Sequence, residues 1–135
     1  MNRILFVCRH NSCRSQMAEG FARHLGGDGL AVVSAGLEPR GVDPGAIAVM
    51  AEAGIDISQQ RSQALNEFQP EAYDAAISLC GCGVNLPQAW LLRPIFQDWA
   101  VADPAGQSLE AYRQARDGIR ERVETLLARL PAAQG

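Results

Sequence analysis

Phe6-Val7-Cys8-Arg9-His10-Asn11-Ser12-Cys13-Arg14-Ser15 is the stretch on which the reading of the chain turns. Before it, residues 2–7 form a short apolar run, the pattern of a parallel strand buried on both faces. After it, Met17, Phe21 and Leu25 recur every four residues with Ala18 and Ala22 beside them, which is one face of a helix. A loop joining a strand to a helix start can turn several backbone N–H groups toward one point, and the helix dipole adds positive potential there. A thiolate at Cys8 is favoured in the mouth of such a cup. Arg14 can grip two oxygens of a tetrahedral oxyanion with its planar fork. The Ser15 hydroxyl can donate to the sulfur. Cys8 therefore reads as a nucleophile, and Arg9, His10, Asn11, Ser12, Cys13 and Arg14 as the oxyanion-binding loop.

Outward from this loop, strands and helices alternate. Gly26-Gly27 stops the first helix, and residues 30–34 (Leu-Ala-Val-Val-Ser) read as a second strand. Asp43-Pro44 opens a second helix, with Asp as N-cap and Pro in the first turn; Ile47, Met50 and Ala51 give its apolar face and Gly54 its end. Residues 62–68 suggest a short helix capped by Ser62, with Leu65 and Phe68 pointing inward. Residues 73–79 and 95–99 read as a third and fourth strand. Leu109, Tyr112, Ile119, Val123, Leu126 and Leu130 mark a long final amphipathic helix. This order predicts an α/β fold: one domain over residues 1–135, a four-stranded parallel sheet and helices on both faces. Sites in such sheets lie beyond the carboxyl ends of the strands, where the strand order reverses.

Composition narrows the function. The chain has 135 residues and a formal net charge of −3, with arginine supplying every cationic side chain. The acidic balance argues against a nucleic-acid binder, which would carry a basic face. No apolar run approaches the ~20 residues that span a bilayer, and the first strand begins at once, leaving no room for a signal peptide. A cytoplasmic protein with no membrane partner is expected. Its four cysteines should then be reduced, which points to catalysis or metal binding rather than a structural disulfide. Cys80 and Cys82 are spaced Cys-x-Cys, which departs from the usual Cys-x2-4-Cys zinc pairing, and no metal is assigned.

Two further features fall on the same carboxyl-end surface. Asp103-Pro104 lies beyond the fourth strand, where a carboxylic acid can protonate an oxygen leaving the attacked centre. Leu79-Cys80-Gly81-Cys82-Gly83 places two thiols among glycines at the end of the third strand. On an extended strand their Cα atoms would stand ~6.5–7 Å apart, the stretched limit of disulfide geometry, so a direct bond would be easily reduced. Cys13 reads as structural, His10 as a bystander, and His24 as serving the helix dipole.

The Cys8–Ser15 signature resembles that of the low-molecular-weight protein tyrosine phosphatases and of the arsenate reductases sharing their fold. Asn11 through Gly20 (Asn-Ser-Cys-Arg-Ser-Gln-Met-Ala-Glu-Gly) looks most like the reductases. So do Ser34-Ala35-Gly36, Gly54-Ile55-Asp56-Ile57-Ser58, Ile77-Ser78-Leu79-Cys80 and Asp103-Pro104-Ala105-Gly106. The phosphatases usually carry an aromatic residue after Asp-Pro; here Ala105 and Gly106 follow. The resemblance implies that Cys8 attacks arsenate, Ser15 supports the thiolate, Asp103 acts as the acid, and Cys80 and Cys82 relay electrons to give arsenite. Phosphate and sulfate would compete for the cup.

Thioredoxin-coupled reductases of this fold typically place a third cysteine in an Asn-Cys-Pro context, where this chain has Asn85-Leu86-Pro87. The pattern is similar instead to the branch that uses glutathione and glutaredoxin, with no bound cofactor. Thioredoxin is the alternative reductant. A low-molecular-weight phosphatase and a non-catalytic oxyanion- or arsenite-binding regulator remain the alternative functions. Asn11, Glu19 and Ser34 match a potassium site known in the family, but Gln63 stands in place of its aspartate.

Overall fold

The apolar run before Cys8 becomes the centre of the molecule. In the computed structural model, which describes residues 2–79 and 86–130, β1 (Asn2–Cys8) pairs in parallel with β2 (Leu30–Gly36) on one side and β3 (Ala75–Ser78) on the other. β4 (Ile95–Asp98) adds to β3, giving the order β2-β1-β3-β4. Ile4, Leu5, Phe6 and Val7 are buried on both faces. Each such side chain contributes roughly 1.5–3 kcal/mol, so β1 anchors both layers.

Alternation along β1 separates two apolar clusters. Ile4, Phe6 and Cys8 face α1 (Arg14–Gly26), α2 (Pro44–Glu52) and α4 (Leu109–Arg129). Leu5 and Val7 face Leu65, Leu86 and Trp90, the last on the four-residue α3 (Gln88–Leu91). Helical cover is thus present on both faces but uneven, since 3-10 turns at Leu65–Glu67 and Pro70–Ala72 complete the second layer. Among the described residues, no helix is long and apolar enough to cross a membrane.

Several local expectations shift. The predicted helix over 62–68 shrinks to the turn Leu65–Glu67, and Ser62 does not cap it; its hydroxyl donates to the His10 carbonyl instead (3.2 Å). β1 and β2 each run further than predicted, to Cys8 and Gly36, because they pair with each other to that point. β3 is shorter than the predicted 73–79: Tyr73 belongs to a turn, and Leu79 continues the ladder only through its N–H to the Val7 carbonyl. The buried face of α2 is Ala46, Val49 and Met50, one residue round from the predicted stripe, which leaves Ala51 exposed. Leu25 and Leu109 also stand exposed, because they sit at helix ends that overhang the core.

The ends of α2 follow local chemistry. Asp43 caps it by accepting from the Gly45 N–H at 2.8 Å, with Pro44 in the first turn. Gly54, at φ +82°, closes it: the Gly54 and Ile55 N–H groups bond back to the Ala51 and Met50 carbonyls. Its last residue, Glu52, is gripped from α4 by Arg113 and Arg116, both at 2.9 Å.

The Arg113 hydrogen bond chiefly, and Arg116 beside it, hold the Glu52 carboxyl down to about 2 from an ordinary value of 4.5, against a smaller desolvation cost. A carboxylate with a depressed folded-state pKa adds stability that is present above its unfolded value and lost as pH falls through the folded one. Glu52→Gln should therefore lower the thermal midpoint by the same amount at every pH above 4.5, and the deficit should shrink as pH falls toward 2. Thermal unfolding across that range checks it; a deficit independent of pH would contradict the ion-pair account.

Candidate active site

β1 and β3 lie at the reversal of strand order, and the loop of residues 9–13 rises from the end of β1 into α1. Four successive carbonyls of this loop are taken from outside. The Arg9 carbonyl accepts from Glu38 N–H (2.7 Å), His10 from Arg40 N–H (3.0 Å), Asn11 from the Gln16 side chain (3.0 Å) and Ser12 from Asp43 N–H (2.9 Å). In a planar trans peptide, the N–H of the next residue points opposite to the carbonyl. The amides of residues 10–13 are thereby turned the other way, toward the cup. Cys13, at the N-cap of α1, makes no side-chain cap, and no acidic residue stands in the first turn. The positive end of that helix is left for an anion.

The clamp on the loop is the segment 36–43, and it fits closely. A Cβ on Gly36 would come within 2.7 Å of the Asn11 backbone nitrogen, so a larger residue there would displace the loop. Asn11 itself takes φ +45°, a left-handed conformation that asparagine tolerates better than most residues.

Below the amides lies a buried polar chain. The Gln63 N–H donates to Asn11 Oδ1 (2.8 Å), which fixes the orientation of the Asn11 amide. Asn11 Nδ2 then donates to Ser15 Oγ (2.8 Å), and Ser15 Oγ lies 2.9 Å from Cys8 Sγ. With its oxygen already accepting, Ser15 has its own proton free to direct at the sulfur.

Arg14 is braced rather than free. Its Nη1 donates to the carbonyls of Leu79 (3.0 Å) and Val101 (2.9 Å), binding the ends of β3 and β4 to the cup. Hydrogen bonds of this charged kind contribute roughly 1.5–3 kcal/mol each. Nη2 is turned to the cup side, 3.7 Å from Asp103 Oδ2. Asp103 Oδ1 accepts from Ala105 N–H (3.0 Å), and the side chain is 46% exposed, open to a leaving group.

These residues enclose a cavity of about 140 Å3, lined by Cys8, His10, Ser12, Cys13, Arg14, Arg40, Asp43, Asp103 and Ala105. Among the described residues its lining includes no Phe, Tyr or Trp. The other sequence candidates have partners of their own. The Arg9 side chain turns to Glu38 (3.6 Å), and His10 Nε2 sits 3.7 Å from the same carboxylate. Cys13 is buried, and desolvation first, then the Asp43 and Asp103 charges, push its thiol well above the ordinary range; it stays protonated. Cys80 and Cys82 lie outside the described residues, immediately after Leu79 in the chain.

The three residues matching a potassium site are already engaged. Glu19 accepts from Ser34 Oγ (2.5 Å) and Arg23 (2.8 Å), while both ends of the Asn11 amide are used. Arg40 and Tyr112, by contrast, reach the site without having been anticipated. Asp43 reads in sequence as a helix cap and, with Asp98, as an alternative to Asp103 for the acid, and Tyr112 only as core; nothing local signals that the 36–43 segment wraps the loop.

The sequence matches the family described as low molecular weight phosphotyrosine protein phosphatase over residues 3–134. It is 55% identical, over 96% of its length and 99% of the relative's, to a glutaredoxin arsenate reductase of Synechocystis. It is 41% identical, over 94% and 96%, to arsenate reductase 1 of Staphylococcus epidermidis. A solved arsenate reductase in the phosphate binding state superposes with a TM-score of 0.92 at 55% identity, covering 97% of this chain and all of that one. With a thiol-floored anion cup between β1 and α1 and these matches along nearly its whole length, the chain belongs to the low molecular weight phosphotyrosine protein phosphatase family.

Proposed function

We propose that this protein is a cytoplasmic arsenate reductase in which Cys8 is the nucleophile, Arg14 and the amides of residues 10–13 bind the oxyanion, and Asp103 is the acid. The observation that carries the reading is the cup: a thiol backed by Ser15 at its floor, and walls that among the described residues carry no Phe, Tyr or Trp to hold a tyrosyl group. A small tetrahedral oxyanion fits it, as phosphate does in the relative whose name records a phosphate-binding state.

Cys8 forms a bond to As(V) and one arsenic–oxygen bond breaks, the oxygen leaving as water with a proton from Asp103. Arsenic remains As(V) in this adduct. A second thiol then attacks the Cys8 sulfur; the S–As bond breaks, its electron pair stays with arsenic, and arsenite leaves as the two sulfurs join. Arsenate plus two thiols thus give arsenite, a disulfide and water. Cys80 supplies that second thiol in this reading, and Cys82 continues the relay. Leu79, one residue before Cys80, is bonded through its carbonyl to Arg14, which ties the start of the thiol segment to the anion grip.

Glutathione with glutaredoxin is the proposed reductant, following the name of the Synechocystis relative, and thioredoxin is the alternative. Reduced thiols of this kind belong to a cytosolic setting.

Two tests follow. Cys8→Ser should abolish arsenate reduction and any hydrolysis of an aryl phosphate. Cys80→Ser and Cys82→Ser should abolish arsenate turnover while sparing aryl phosphate hydrolysis; normal arsenate turnover by both would remove the relay. In multiple-turnover assays, glutathione plus glutaredoxin should sustain arsenite formation better than thioredoxin with its reductase. Robust turnover with thioredoxin alone would reverse the choice of reductant.

A further inference from the structure

Tyr112 lies in the first turn of α4, nine residues after Asp103, with its side chain buried. Its hydroxyl donates to Asp43 Oδ2 at 2.7 Å. Asp43 in turn donates its backbone N–H to the Ser12 carbonyl of the anion loop (2.9 Å) and caps α2 through Oδ1. The Tyr112 ring packs on Gly45, where a Cβ would approach it to 2.6 Å. The turn that carries Asp103 closes onto the start of the same helix, since the Gln107 N–H and side-chain amide donate to the Pro104 and Asp103 carbonyls (2.9 and 3.0 Å). One phenol therefore ties the start of α4, into which the acid-bearing turn leads, to the cap of α2 and, through that cap, to the carbonyl side of the cup.

We infer that Tyr112 is a positioning residue, which sets the Asp103 turn at a fixed distance from the anion cup so that the acid meets the departing oxygen. The inference rests on the reading of Asp103 as the acid. Neither the phenol nor Asp43 exchanges a proton with substrate in this role. Both Asp43 oxygens are already committed, to Gly45 N–H and to the phenol, whereas Asp103 Oδ2 faces the cavity beside Arg14. Burial first, then the neighbouring Asp43 carboxylate, raise the phenol's pKa, so it stays a donor at working pH. Arg14 holds the approach to the same turn from the other side through the Val101 carbonyl, and Tyr112 holds its exit through α4. Small displacements of a catalytic group lose large rate factors, so a single hydroxyl can matter here.

A double-mutant cycle on Tyr112→Phe and Asp103→Asn tests this, read as the single-turnover rate of arsenate reduction with enzyme in excess over arsenate and glutathione present. A positioned acid contributes roughly 10²–10⁴-fold, and Tyr112→Phe should forfeit about tenfold of that at saturating enzyme. In the Asp103→Asn background the same change should cost less than about twofold, because there is no acid left to position. Half-saturation and inhibition by inorganic phosphate should stay as in the parent, since the cup amides are untouched. Equal losses in both backgrounds, or no loss in the parent, would overturn the role of Tyr112. If Asp103→Asn alone costs nothing, it is the acid reading that fails. Should Tyr112→Phe fold poorly, Asp43→Ser keeps a helix cap while removing the second oxygen that the phenol reaches. It should show the same non-additivity with Asp103→Asn, and additivity there would equally overturn the proposal.

Discussion

The outward commitment of four carbonyls in the loop of residues 9–12 is the constraint on which the site depends. A loop of this length has many conformations, and only those with the amides turned inward can hold an anion. Three of the four acceptors are met by backbone N–H groups of one segment, residues 38–43, so the cup is held by main chain rather than by surface side chains. The fourth is met by Gln16, whose amide also reaches the Arg61 carbonyl and is itself bonded by Gln60. Gly36 allows that segment to approach as closely as it does. The proposed anion site is therefore preformed, and oriented dipoles need not reorganise when charge arrives.

The remaining parts of the site are built onto this frame. Asn11 is both a loop residue in a left-handed conformation and the donor that orients Ser15, so backbone geometry and thiol environment are coupled in one side chain. Arg14 couples the cup to the ends of β3 and β4, through the Leu79 and Val101 carbonyls, and so to the approach to the Asp103 turn. The parallel sheet makes this possible, because its strand ends all point to the same edge.

Much of the fold was legible because burial writes itself into periodicity: the apolar run of β1, the spacing of Met17 and Phe21 and the long stripe of α4 are each dictated by what they pack against. The cup was legible because Cys8, Arg14 and Ser15 occur at a spacing that a strand–loop–helix turn brings together. The clamp was not. Residues 36–43 bond through their backbone, which leaves no trace in side-chain pattern, and Asp43 already had a sufficient local reading as a helix cap. Tyr112 was read correctly as core, yet its hydroxyl reaches a partner 69 positions earlier in the chain, a contact that only the tertiary fold reveals. The exposed Leu25 and Leu109 show the same limit from the other side, since a helix face can outrun the core it covers.

If the loop amides form the anion site, adding inorganic phosphate to the reduced protein should move their resonances in an amide proton–nitrogen NMR spectrum. The shifts should be largest for the backbone N–H groups of His10, Asn11, Ser12 and Cys13 and of the first turn of α1. They should be absent for the amides of Glu38, Arg40 and Asp43, which stay bonded to the loop's outer face. Saturable shifts confined to exposed arginines, with residues 10–13 unmoved, would contradict an inward-facing cup.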